Sequence, residues 1–303
     1  MKALEKRHIE RMDNTEVTFL GFGALSIGRD WGYGTMEQKQ RPTEEESGRI
    51  LNSILDLGVN LVDTARAYHQ SEERIGNYIS SRRNEYVLAT KCGEHSIEPS
   101  TYYDFSYDAI KESIDRSLRL LKTNVIDLLQ IHFGPDPEKV VENGETLAAM
   151  KDAQKEGKVR FLGASIDGEL ATRLIRSRDF DVMQMEYHLL NQKNKKNIQF
   201  AKERGMGVLI RTGIGRGLLT SRALELMDTE FREKEKVSQL LELVENDGDL
   251  LQALALQFLY QEEGISSVLI GTKSVERFKK NMELLEREVD PVILQKAIEI
   301  GAE

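Results

Sequence analysis

Eight short apolar runs, nearly all followed by a helical pattern, set the tightest limit on what this chain can fold into. They occupy residues 17–22, 59–62, 86–90, 125–131, 159–164, 182–185, 208–210 and 266–270. Most are continuous rather than alternating, as strands buried on both faces are. The intervening segments carry helix signals. Pro42-Thr43 followed by Glu44, Glu45 and Glu46 marks a helix start, with carboxylates at the positive end of the dipole. Ile50, Leu51, Ile54, Leu55 and Leu57 then recur at helical spacing until Gly58 ends the run. Further helices are expected over 72–81, 107–121, 144–156, 169–178, 194–204, 250–262 and 275–285, with one more in 286–303. Residues 28–40 and 93–107 read as loops, and 212–249 as a long connection that starts glycine-rich and continues helical.

Strand and helix in alternation imply a parallel sheet. Eight such units close naturally into a barrel. The rival is a doubly wound open sheet, and no G-x-G-x-x-G turn follows the first strand to support it. Residues 1–13 and the Asn14-Thr15 turn read as a short hairpin. The expected fold is therefore α/β: a TIM (β/α)8 barrel with a short N-terminal hairpin cap. No composition break marks a linker, so residues 1–303 read as a single catalytic domain.

Composition narrows the partners. A net charge of -9 argues against nucleic acid or an anionic membrane surface. The single cysteine, Cys92, has no internal partner for a disulfide, which suits a reducing compartment. The N-terminus carries no apolar signal segment, and no run reaches the roughly 18 apolar residues of a membrane span. A cytoplasmic location and a small-molecule partner are expected.

In barrels of this kind the site lies at the C-terminal ends of the strands. Asp63, Lys91, His132, Ser165, Gln184 and Arg211 stand in or at the ends of successive runs, with Tyr68 and Tyr187 just beyond two of them. Asp, Lys, Tyr and His from three consecutive strand ends make an acid–base set. A metal centre would want more carboxylates and histidines, and none is expected. A phenol has an ordinary pKa of about 10, and a nearby ammonium lowers it. Lys91, paired with Asp63, would do this for Tyr68, and His132 would orient a substrate oxygen. Such a set protonates a carbonyl oxygen as hydride arrives at carbon, or runs backwards on an alcohol.

The motifs Asp63-x4-Tyr68, Ser71-Glu-Glu-Arg-Ile-Gly76, Thr90-Lys91, Asp127-Leu-Leu-Gln-Ile-His132, Gly157-Lys-Val-Arg-x-Leu-Gly163, Gln184-x2-Tyr187 and Gly271-Thr-Lys-Ser274 with Asn281 occur in this order. Together they resemble the aldo-keto reductase superfamily over about residues 17–285. The resemblance implies a TIM barrel using NADPH, with NADH possible, to interconvert a small carbonyl substrate and its alcohol. It implies Tyr68 as general acid, Lys91 and Asp63 as its tuning pair, and His132 as the substrate-orienting group. It also implies Ser165 and Gln184 at the nicotinamide carboxamide, Lys273, Ser274 and Arg277 at the adenosine 2′-phosphate, and Asn281 at the adenine. Tyr187, Arg211 and Gly215 complete the expected cofactor contacts. The family usually has Asn where this chain has Ile166, and Arg211 stands where an aromatic often stacks on the nicotinamide. Trp31, Tyr33 and Phe133 are expected to line the substrate pocket, and Arg29 and Arg211 would favour anionic or sugar-like carbonyls.

Each residue alone also has an ordinary reading. Asp63 would cap a helix, Lys91 would be a surface charge, and Tyr68 and Tyr187 would pack on the barrel rim. Lys273 and Arg277 would be solvated helix charges. Two other functions remain on the sequence: a slow-turnover, cofactor-sensing regulatory subunit of the same fold, and a lyase or isomerase with Lys91 as nucleophile.

Overall fold

The computed structural model describes residues 1–32 and 35–302, so the pocket assignment of Tyr33 lies outside the described residues. The chain opens on an antiparallel hairpin, β1 (Lys6–Ile9) with β2 (Thr15–Thr18). The strands β3 (Leu20–Gly23), β4 (Leu61–Asp63) and β5 (Val87–Cys92) follow. A second antiparallel hairpin comes next, β6 (Glu94–Ile97) with β7 (Ser100–Tyr103). Then come β8 (Ile126–His132), β9 (Val159–Ser165), β10 (Val182–Glu186), β11 (Gly207–Arg211) and β12 (Ser267–Ile270). The strands other than the two hairpins close a parallel barrel in the order β10-β11-β12-β3-β4-β5-β8-β9. With its surrounding helices this is a TIM (β/α)8 barrel.

The strongest local signals fall where expected. The helix Glu44–Asp56 starts with a capping box, in which Thr43 Oγ1 accepts from the Glu46 N–H and the Glu46 carboxylate accepts from the Thr43 N–H at 2.8 Å. The helix Tyr107–Leu121 has the expected bounds. Four segments differ, the first being Met36–Lys39, a capped helix inside the expected loop 28–40. The apolar run 17–22 is two strands, because the chain changes partners at Phe19, which bonds Glu5 on one side and Val268 on the other. Residues 93–107 are largely a hairpin, in which His95 stacks on its cross-strand partner Tyr102. A helix at Pro137–Asn143 was not anticipated.

Side chains on a strand alternate between faces, and this builds the barrel interior in layers. The lower layer is apolar: Leu61, Ala89, Leu128, Phe161, Val182, Leu209 and Leu269 form one cluster. Ile9, Met12 and Val17 join it from the N-terminal hairpin, which thereby plugs the N-terminal mouth. Each such buried chain contributes about 1.5–3 kcal/mol. Two residues further along the strands the interior turns polar, with Asp63 above Leu61, Lys91 above Ala89, Gln130 above Leu128 and Gln184 above Val182. Buried charges and amides are tolerated only when they satisfy one another. That requirement shapes the C-terminal mouth. Among the described residues, no helix is long and apolar enough to cross a membrane.

Candidate active site

Asp63 is the hub of the polar layer. Lys91 Nζ donates to its Oδ2 at 2.5 Å and to the Thr64 carbonyl at 2.9 Å. Gln130 and Gln184 each donate an amide hydrogen to Asp63 Oδ1 at 2.9 Å. Asp63 and Lys91 are 3% and 1% exposed, so the pair is sealed from water. Burial works to depress Lys91, but Asp63 and Tyr68 outweigh it and raise the ammonium above its ordinary value. A charged Lys91 is a poor nucleophile, which argues against a Schiff-base enzyme.

Tyr68 leaves β4 in a loop that the rest of the site holds rigidly. Glu72, fully buried, accepts from Arg66 at 2.5 Å and from Thr90 Oγ1 at 2.7 Å. Ser71 Oγ donates to the Ala24 carbonyl at 3.0 Å and accepts from Thr64 Oγ1 at 2.8 Å. Gly28 lets the preceding loop close on this one, since a Cβ there would stand 2.2 Å from the Tyr68 carbonyl oxygen. Lys91 Nζ lies 5.1 Å from the Tyr68 ring centroid, and the ring of His132, the last residue of β8, meets it edge-on at 5.9 Å. The Asp, Tyr, Lys and His named from the sequence therefore meet at one strand-end cluster.

The electrostatics correct one expectation. Burial is the largest influence on the Tyr68 phenol and raises it; Lys91 opposes this, Asp63 reinforces it, and the net direction is upward. The lowering expected from Lys91 is present but is outweighed. Tyr68 thus keeps its proton at neutral pH, and the ammonium is placed to stabilise the phenolate left when that proton is given away.

His132 has a partner that the sequence reading missed. Its Nδ1 lies 2.9 Å from Glu94 Oε2, at ion-pair distance. Glu94 opens β6, directly after Gly93, and sits opposite Tyr103 in the hairpin. Gln130 was missed too, although its place two residues before His132 puts both on the inner face.

The expected cofactor contacts divide. Ser165 Oγ donates to Gln184 Oε1 at 3.4 Å, so these two meet at the ends of β9 and β10. Arg211, at the end of β11, bonds Glu186 Oε2 at 3.0 Å and ion-pairs with Asp167. Contact with His188, then with Asn191 and Arg211, outweighs burial and holds the Glu186 carboxyl well below its ordinary range. Gly215 closes a turn by donating its N–H to the Thr212 carbonyl at 2.7 Å. Ser274 caps the helix Val275–Glu286, accepting from the Arg277 N–H, and Arg277 is exposed on the first turn. Asn281 is 4% exposed, accepting from Gln252 at 2.9 Å and donating to the Arg277 carbonyl at 2.7 Å. Lys273 donates to three backbone carbonyls, those of Gln38, Lys39 and Gln40, at 3.0, 2.6 and 2.8 Å.

Tyr187 requires a correction. It is 1% exposed and stacks on Phe258 at 4.9 Å, inside the core between barrel and helices. Strand alternation explains this: Gln184 and Glu186 face inward, so Met185 and Tyr187 face the helices. It offers no face to a cofactor. Of the residues expected at the substrate pocket, Phe133 stacks on Phe105, and Phe105 on Tyr103, forming an aromatic wall. Trp31 is 45% exposed, with the Arg29 guanidinium 5.7 Å from its ring.

Comparison with known proteins agrees with this fold. Residues 20–296 match the family model described as Aldo/keto reductase family. The chain is 26% identical to the uncharacterized oxidoreductase YqkF of Bacillus subtilis, over 92% of this chain and 90% of that protein. It is 26% identical to the L-galactose dehydrogenase of Arabidopsis thaliana, over 92% and 88% respectively. The holo form of aldo-keto reductase AKR11C1 from Bacillus halodurans superposes with a TM-score of 0.79 at 27% identity, covering 99% of this chain and 97% of that one.

Proposed function

The chain belongs to the aldo/keto reductase family, and from that premise we propose that it reduces an aldehyde or ketone to the alcohol with NADPH, Tyr68 being the proton donor. The observation that carries this reading is the cluster itself: a buried Lys91–Asp63 pair under a protonated phenol, with His132 edge-on to it. A reduced nicotinamide, when bound, supplies hydride to the carbonyl carbon. Tyr68 gives its proton to the carbonyl oxygen, and Lys91 stabilises the resulting phenolate. Asp63 keeps Lys91 charged, and Gln130 and Gln184 keep Asp63 in place. His132 holds the substrate oxygen toward Tyr68. In the reverse direction the phenolate accepts the alcohol proton.

The residues present suit a dinucleotide. Ser165 and Gln184 would hold the carboxamide. Arg211 is about one third exposed and its plane is fixed by two carboxylates, so its face would cover the nicotinamide ring in place of an aromatic. The turn at Gly215 and the helix start at Ser274 and Arg277 would hold the phosphates. Lys273 is already satisfied by three carbonyls, so Arg277 would carry most of the preference for the 2′-phosphate. NADH is the alternative cofactor.

The test is Tyr68→Phe, assayed by NADPH oxidation with 4-nitrobenzaldehyde and a panel of aliphatic and sugar aldehydes. The expected loss in kcat is about 10²–10⁴-fold, the range for a general acid. NADPH affinity, read by fluorescence titration, should stay near that of the parent. Full turnover in the variant would refute the role of Tyr68.

A further inference from the structure

His132 is held from behind by a carboxylate that sits on neither its own strand nor its own loop. Glu94 is three residues past Lys91 and belongs to the hairpin β6–β7, which rises from the end of β5. Gly93 makes that exit possible. It has φ of +99°, and a Cβ there would lie 2.3 Å from the Phe105 ring. The turn delivers Glu94, only 7% exposed, to His132. The hairpin is itself anchored beside the proton donor, because His69 Nδ1 lies 2.7 Å from Ser96 Oγ and His69 follows Tyr68 directly. One hairpin thus fixes Tyr68 and His132 relative to each other.

The charges around the carboxylate are few. Glu94 Oε2 is 2.9 Å from His132 Nδ1, Glu94 Oε1 is 4.0 Å from Arg29, and Tyr103 is its cross-strand partner in the hairpin. Among the described residues, His132 Nδ1 is buried with no other partner and is not aligned for a hydrogen bond even to Glu94.

We propose that Glu94 is a positioning residue: its carboxylate faces His132 Nδ1 at 2.9 Å and fixes the plane of the ring, so that Nε2 meets the substrate oxygen. Without Glu94 the ring is free to rotate away from that oxygen. The effect on turnover rests on the reading of the site as a carbonyl reductase; the effect on the ring does not.

The test uses Glu94→Gln, Glu94→Ala, His132→Ala and the double variant Glu94→Ala with His132→Ala, all saturated with NADPH. A small misplacement of a positioned group costs up to about a hundredfold, so Glu94→Ala should lower kcat on 4-nitrobenzaldehyde by about ten- to hundredfold. KM and NADPH affinity should barely move. Glu94→Gln, which still offers an acceptor oxygen to Nδ1, should recover part of the loss. In the His132→Ala background Glu94→Ala should add less than about twofold, the non-additivity of a coupled pair. Ring NMR gives a readout free of turnover: the His132 ring signals should shift and broaden in Glu94→Ala as the ring gains freedom. An unchanged ring signal, or fully additive losses, would overturn the role of Glu94. If the parent protein turned over no carbonyl at all, the proposed function would fail, and the ring signal would still judge Glu94.

Discussion

Gln184 donates its amide hydrogen to Asp63 Oδ1 from across the barrel, at 2.9 Å and 121 residues away in the chain. The two strands are separated by β5, β8 and β9 in the closed order. The contact is therefore a product of barrel closure, and with Gln130 it leaves Asp63 no freedom to release Lys91. The proposed acid–base cluster is built on a strut that spans the interior.

Removing the charge at that hub should be felt throughout the fold. Asp63→Asn leaves the Lys91 ammonium buried without a counter-charge, and breaking such a pair costs about 3–5 kcal/mol. Gln184→Met removes one donor and should cost less, about 1–3 kcal/mol. Urea denaturation at neutral pH measures both. Equal, small losses would mean that the pair is not the sealed unit its geometry indicates.

The raised Tyr68 phenol sets the pH range of the proposed reduction. Reduction needs the protonated phenol, so its rate should hold up to the ordinary tyrosine value of 10.0 and fade only beyond it. Lys91 is the influence that lowers this group. Lys91→Met should therefore move the alkaline limb of kcat to higher pH while lowering kcat itself. A limb that moved downward would reverse the assigned sign.

Acid stability should depend on Glu186. Its folded value lies below the ordinary 4.5, so its contribution is fully present above that pH and is lost as pH falls below it. Thermal melts of the parent and of Glu186→Gln should differ at pH 6, and the gap should narrow steadily as pH falls below 4.5. A constant gap would show that the loss is one of packing and not of linked protonation.

Lys273 and Arg277 should separate in cofactor titrations. Lys273 ties down the carbonyls of residues 38–40, so Lys273→Met should weaken NADPH and NADH alike by loosening that segment. Arg277→Ala should weaken NADPH alone, by roughly tenfold or more for a lost charge-assisted contact. A loss confined to NADPH in Lys273→Met would mean that the ammonium leaves its carbonyls for the phosphate.

What could be read from the chain without coordinates was what local chemistry controls. Apolar runs, a capping box at Thr43 and glycine stops such as Gly58 act over a few residues, so strands, helices and the order of strand-end residues followed from them. That Asp63, Tyr68, Lys91 and His132 cluster could be expected because strand ends in a barrel face one mouth. Tyr187 was misplaced because inward and outward alternation was not carried past the end of β10. The split at Phe19 was hidden because a continuous apolar run does not say where its partner changes.

Only closure of the barrel decided which polar groups meet. Gln184 reaches Asp63, Arg211 lies between Asp167 and Glu186, and Lys273 is spent on residues 38–40. Glu94 reaches His132 because a hairpin replaces the expected loop. The physical reason is common to all four. A buried charge takes whatever counter-charge or acceptor the fold brings within about 3 Å, and that distance is a property of the closed sheet rather than of chain order.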